Sequence, residues 1–138
     1  MLLGFKERFE KPILDGTKKF TIRKKRRRVP KIGETLYMYK HIRTKNVRKI
    51  TDQFTLTATQ LVSAVIRQDS KKFWTVSIKV DGRRLDSSEI EAFVKADGFE
   101  SVEDFRDYWL EGVRPDDVGL RIGDFDNHII YHWTNILI

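Results

Sequence analysis

The sequence predicts an α+β fold: a small mixed β-barrel of about five to six strands, with a short N-terminal helix and a helical pair inserted before the last strand. Three observations predict it. Much of residues 1–80 alternates between apolar and polar positions, the two-residue period of half-buried strands. Residues 86–112 change to apolar spacings of three and four, bounded by capping residues and glycines. The last twelve residues return to a dense β-forming run. At 138 residues, 40% of them hydrophobic, the chain is sized for one domain. No linker or internal repeat divides it, so 1–138 is read as a single unit.

Leu2-Leu3-Gly4-Phe5 is an apolar opening suited to an edge strand. Lys11 to Gly16 reads as one helical turn: Pro12 fits the first turn, and Gly16 suits the left-handed residue that ends a helix. Lys18 to Arg23 alternates, with Phe20 and Ile22 on one face and Thr21 and Arg23 on the other. Lys24 to Gly33 repels itself and contains Pro30, so it is a loop. Thr35–Lys40 is a strand, and a second extended stretch runs from Phe54 through Ala58 towards Ile66. Trp74, Val76, Ile78 and Val80 share one parity, which places Trp74 in the core; Asp81-Gly82 then turns the chain.

Asp86 with Glu89, or Ser88 with Glu91, forms a capping box for the first inserted helix, which Gly98 stops. Ser101 with Asp104 opens the second, whose stripe is Val102, Phe105 and Trp109 and whose end is Gly112. The closing strand is read as Asn127 to Ile138.

Charge narrows the function classes. The net charge is +7, but residues 1–50 carry +13 and residues 51–138 carry −6. Within residues 86–126 there are 4 basic and 13 acidic side chains. Such a dipole draws phosphate to the basic side. The absence of cysteine excludes disulfides, thiol nucleophiles and thiolate metal sites. No apolar run approaches the ~20 residues of a membrane span, and the opening residues are too few for a signal peptide. A cytoplasmic protein with no membrane partner is expected, as is a monomer. His128 and His132, four apart on a strand, would lie roughly 13 Å from each other, so no metal is expected. No other cofactor is expected either.

The densest constellation is Gly16 to Arg23. On a regular strand Lys18 and Thr21, three apart, face opposite sides. They converge only if Lys18 still belongs to the turn after Gly16. An ammonium, a hydroxyl and the Arg23 guanidinium would then face one pocket, a set able to hold a phosphate or carbonyl oxygen. The basic run Arg23, Lys24, Lys25, Arg26, Arg27 and Arg28, followed by Arg43, Lys45, Arg48 and Lys49, reads as a phosphate-tracking surface. Tyr37 and Tyr39 share a face and offer a ring for base stacking, Tyr39 being taken as the one on the cleft.

Pro12–Arg23 contains G-x-K-x-x-T-x-R and resembles the opening of the ASCH family, a PUA-like β-barrel, in its phage and bacterial type. Arg43-Thr44-Lys45, Asp97-Gly98-Phe99 with Phe105 and Trp109, and His132-Trp133-Thr134 resemble further family blocks in the same order. The resemblance implies a cleft between the signature segment and the helical insert that accepts RNA, single-stranded nucleic acid or a modified nucleoside. It also implies a hydrolase as an alternative, because some members cleave the amide of N4-acetylcytidine with the signature Lys and Thr and a downstream Glu, and another is a ribonuclease. Carried over, the first two roles fall on Lys18 and Thr21. The carboxylate falls on Asp97 or Glu100, and His132 becomes a minor substrate contact. In that reading Thr21 Oγ attacks the acyl carbonyl and Lys18, made neutral by burial, takes its proton. A third class, a protein-interaction domain working through the acidic helices, stands beside these.

Overall fold

The computed structural model describes residues 1–70, 72–135 and 137–138. Among the described residues eight strands and three α-helices form an α+β fold, and those strands divide between two open sheets rather than closing into one ring. In the smaller sheet the edge strand β1 (Leu2–Phe5) runs parallel to β3 (Thr35–Lys40), which pairs antiparallel with β4 (Arg48–Thr55). The larger sheet has the order β2 (Phe20–Arg23), β8 (Arg121–His132), β5 (Ala58–Gln68), β6 (Trp74–Val80) and β7 (Arg83–Arg84). All its pairs are antiparallel.

Between β1 and β2 lie a 3-10 turn, Glu7–Phe9, and α1 (Glu10–Asp15). Gly16 ends α1 at φ 85°, a left-handed backbone that costs glycine little. The helical pair is α2 (Ser87–Ala96) and α3 (Val102–Leu110). Asp86, not Ser88, builds the capping box, with Glu89 returning the bond; Ser101 caps α3 through Asp104 N. A chain of ring contacts joins the helices to β2 and the N-terminal turn: Phe20 to Phe93, Phe93 to Phe105, Phe105 to Phe99, and Phe99 to Phe9. This apolar spine fixes the end of α2 against the start of β2.

Three boundaries differ from the sequence reading, each for a physical reason. β4 starts at Arg48, six residues before Phe54, because an edge strand leaves polar side chains in water and shows little alternation. β8 starts at Arg121 and ends at His132. Its first half carries Gly123, Asp124 and Asp126, poor strand formers. Its alternation is then broken where the β5 pairing shifts between Val62 and Ala64. Asn127 sits there at φ 50° and its N–H donates to Ser63 Oγ, so two residues oppose one as in a bulge. Trp74 is half-buried rather than core, with the Arg106 guanidinium 4.6 Å from its ring centroid. Among the described residues no helix is long and apolar enough to cross a membrane.

Candidate functional site

Lys18 does belong to the turn. Its N–H donates to Pro12 O at 2.9 Å, closing the end of α1, and Lys19 N donates to Ala96 O at 2.7 Å, tying the segment to the end of α2. The side chain of Lys18 is therefore aimed inward before β2 begins. It meets Asp97, which caps the C-terminus of α2. Phe99 N bonds Val94 O and Gly98 N bonds Lys95 O, the paired bonds of a Schellman end, with Gly98 left-handed at φ 93°. A Cβ on Gly98 would lie 3.1–3.3 Å from the Lys18 side chain. Glycine is thus favoured there twice, for its backbone and for the space.

Lys18 Nζ donates to Asp97 Oδ1 at 2.6 Å and to Asp97 O at 2.5 Å. Both side chains are under 5% exposed. Burial pulls the Lys18 ammonium below the ordinary lysine range and lifts the Asp97 carboxyl above its own, while the attraction between them opposes both shifts. The ammonium also stands 4.6 Å from the Phe9 ring centroid, a cation–π contact that desolvation strengthens. Thr21, nearly buried on β2, accepts from Arg23 Nε at 3.2 Å, and Arg23 Nη2 reaches Gly4 O on β1 at 2.7 Å. Arg23 thereby crosses from the larger sheet to the smaller one, lying 4.8 Å from the Phe5 ring.

Lys18, Thr21, Arg23 and Asp97 all line one cavity of about 280 Å³, walled by the rings of Phe5, Phe9, Phe99 and Tyr108. Of the two carboxylates, Asp97 lines the cavity, whereas Glu100 is exposed, outside its lining, with its N–H bonded to Asp104. Lys18 and Thr21 share the cavity without a hydrogen bond between them: the ammonium is held by Asp97 and the hydroxyl oxygen by Arg23. The aromatic walls escaped the sequence reading. Tyr108 shows no periodicity distinct from helix packing, and the available signal for Phe99 was its position directly after Asp97-Gly98.

A second, wider groove of about 710 Å³ shares Gly4, Phe5, Lys6 and Arg23 with the cavity. Arg26 and Arg43 line it. The other cations of the basic run do not: Lys24, Lys25 and Arg27 are exposed, and Arg28 pairs with Glu34. Lys45 is exposed beyond the groove. Two expected contacts are corrected. Tyr39 is half-buried in the ladder opposite Gly4 and Lys49 and lines neither space. His132 is wholly buried, its Nε2 2.8 Å from Gln60 Oε1, because β8 turns its last residues into the core. Burial holds its imidazole down at about 4, so it is neutral. Among the described residues its Nδ1 has no partner.

Among the described residues no group of three or more His, Asp or Glu side chains is placed to hold a metal ion. No protein-family model, curated protein or solved structure matches the chain.

Proposed function

We propose that this chain is a cytoplasmic ASCH-like module, PUA-like in its architecture, that binds RNA, single-stranded nucleic acid or a modified nucleoside, seating one base in the Lys18–Asp97 cavity. The observation that carries the reading is the convergence of Lys18, Thr21, Arg23 and Asp97 on one aromatic-walled cavity beside a cationic groove. A base offers what such a site satisfies: π-faces for Phe and Tyr rings, and edge donors and acceptors for hydroxyl, carboxylate and guanidinium. The cavity lies just below the roughly 300–1,000 Å³ of drug-sized ligand sites, which suits a single ring system. The test is titration of nucleosides and short single-stranded RNA, followed by tryptophan fluorescence. Binding that depends on base identity and falls at least tenfold in Thr21→Val supports the reading. Binding equal for all bases and unchanged in Thr21→Val overturns it.

A hydrolytic reading has its own support. Thr21 Oγ sits in the same cavity as a lysine that burial pushes towards its neutral form. On an N4-acylated cytidine, Oγ would bond to the acyl carbon as the C–N bond breaks; the hydroxyl proton would pass by way of Lys18 to the departing amine, and water would then release the acyl group. Because Lys18 is held by Asp97, this route requires the ammonium first to give a proton to that carboxylate, the direction in which burial pushes both groups, so that a neutral amine faces Thr21 when substrate enters. Chromatography of N4-acetylcytidine incubated with the protein decides it: turnover that Lys18→Ala abolishes supports hydrolysis, and no product at high enzyme concentration leaves binding alone.

A further inference from the structure

We infer that the groove beside the cavity is a phosphate subsite, built by Arg23, Arg26 and Arg43, so that the ligand is a nucleotide rather than a free nucleoside. This rests on the base-binding reading above and narrows its substrate class.

Arg23 is the common wall of the two spaces. Two of the five N–H donors of a guanidinium are committed, to Thr21 and Gly4, and the others remain for a ligand. Arg26 is steadied by one bond, Nη2 to Leu2 O at 3.2 Å, and meets no carboxylate among the described residues. Arg43 has no described ion pair or hydrogen bond from its side chain, and it is held on the groove by its turn. Thr44 Oγ1 donates to His41 O at 2.7 Å and accepts from Asn46 N, while His41 and Arg43 take left-handed φ of 53° and 63°. Gly4 lets that turn close in, since a Cβ there would meet Ile42 Cγ2 at 2.9 Å. Glu7 is the one acid on the groove among the described residues; it stands 3.5 Å from Lys40 Nζ, which Glu10 also holds at 2.9 Å, and 3.9 Å from His41 Nε2. Lys6 adds a further cation, paired at 3.5 Å to Glu111.

The result is a set of forked donors without a matching acid, one wall away from the cavity. Planar guanidinium groups bind phosphate oxygens in pairs. A phosphate joined to the ribose of a base in the cavity would reach this groove across Arg23. Of the basic clusters, Arg26 and Arg43 meet the phosphate, and Lys24, Lys25, Arg27, Arg28 and Lys45 stay outside the contact.

The test is calorimetric titration with four nucleosides, their 5′- and 3′-monophosphates, inorganic phosphate and a tetranucleotide RNA. The proteins are the full chain, Arg26→Ala/Arg43→Ala, and Lys79→Ala/Arg84→Ala, which removes equal charge from the far edge of the larger sheet. Monophosphates should bind at least tenfold tighter than their nucleosides. Arg26→Ala/Arg43→Ala should erase that difference while nucleoside affinity stays within twofold, and the distant double variant should keep it. A monophosphate advantage marks a terminal phosphate as the source. The same arginine dependence seen only with the tetranucleotide marks an internal phosphodiester. Base-dependent binding with no phosphate advantage in any form overturns the subsite and leaves the base cavity standing. Arginine-dependent binding of inorganic phosphate and of every nucleotide alike, without base preference, keeps the subsite and overturns the base cavity. Equal losses in both double variants reduce the effect to general charge and overturn the subsite.

Discussion

Lys18 and Lys25 are the same side chain seven positions apart, and they live in different media. Lys18 is 3% exposed, bonded to a carboxylate and a carbonyl, and held against an aromatic ring. Lys25 stands in water with no described partner. Charge in the first setting is costly unless matched, so it organises structure; charge in the second is cheap and interchangeable. The +13 of the first fifty residues therefore mixes two kinds of cation: a few that build a cavity and many that only surround it with potential.

The sharpest way to break this contrast is Lys18→Met. Removing one member of a buried pair leaves Asp97 uncompensated, so unfolding free energy should fall by about 3–5 kcal/mol, read from urea denaturation. Lys18→Met/Asp97→Leu should recover much of that loss. A single variant as stable as the parent would mean that the pair is already neutral or hydrated.

His132 extends the comparison to a buried base that meets an amide, Gln60, rather than an acid; Asp81, on the far side of Gln60, only partly opposes the effect of burial. The imidazole's folded value of about 4 lies below the 6.5 of an exposed histidine. Between those limits the unfolded chain binds a proton that the folded chain refuses. Stability from this group is complete above pH 6.5 and is lost as pH falls towards 4, by at most roughly 3 kcal/mol. Denaturation midpoints measured against pH should show the slope, and His132→Gln should flatten it. A slope unchanged in that variant would assign the acid sensitivity elsewhere.

Gly98→Ala is expected to be milder, about 1–2 kcal/mol for a left-handed alanine, with weakened ligand binding because the new methyl presses on Lys18. Smallest of all is Lys24→Ala/Lys25→Ala/Arg27→Ala. Its thermal midpoint should match that of the parent, and the salt dependence of RNA binding should change little. A drop in the slope of about 0.7 for each removed charge would make these cations direct phosphate contacts.

Much of the scaffold was legible because its signals are local. Gly16, the Asp86/Glu89 box, Ser101 with Asp104, and the parity of β6 each depend on neighbours within a few residues. The grouping of Lys18, Thr21 and Arg23 was legible for the same reason, since one turn and four strand residues place them. Less legible was whatever tertiary contact decides. Asp97 and Glu100 are three residues apart and chemically alike; only the docking of α2 on the Lys18 turn buries one and leaves the other in water. The inward course of His132 and the exclusion of Tyr39 follow from strand pairing across β5 and β3, which no local pattern encodes. The polar half of β8 was hidden by its bulge.

The Lys18–Asp97 bond joins residues 79 positions apart. Closing a loop of that length costs entropy that grows slowly with length, but the charges gain little until water has left. Neither the N-terminal segment nor the helical pair can hold half of this cavity by itself, because each would carry a bare buried charge. A ligand there would act as a clasp on the whole chain. Its occupancy would slow amide exchange in β2 and at the end of α2 together, and the cavity would vanish as one piece when either side lets go.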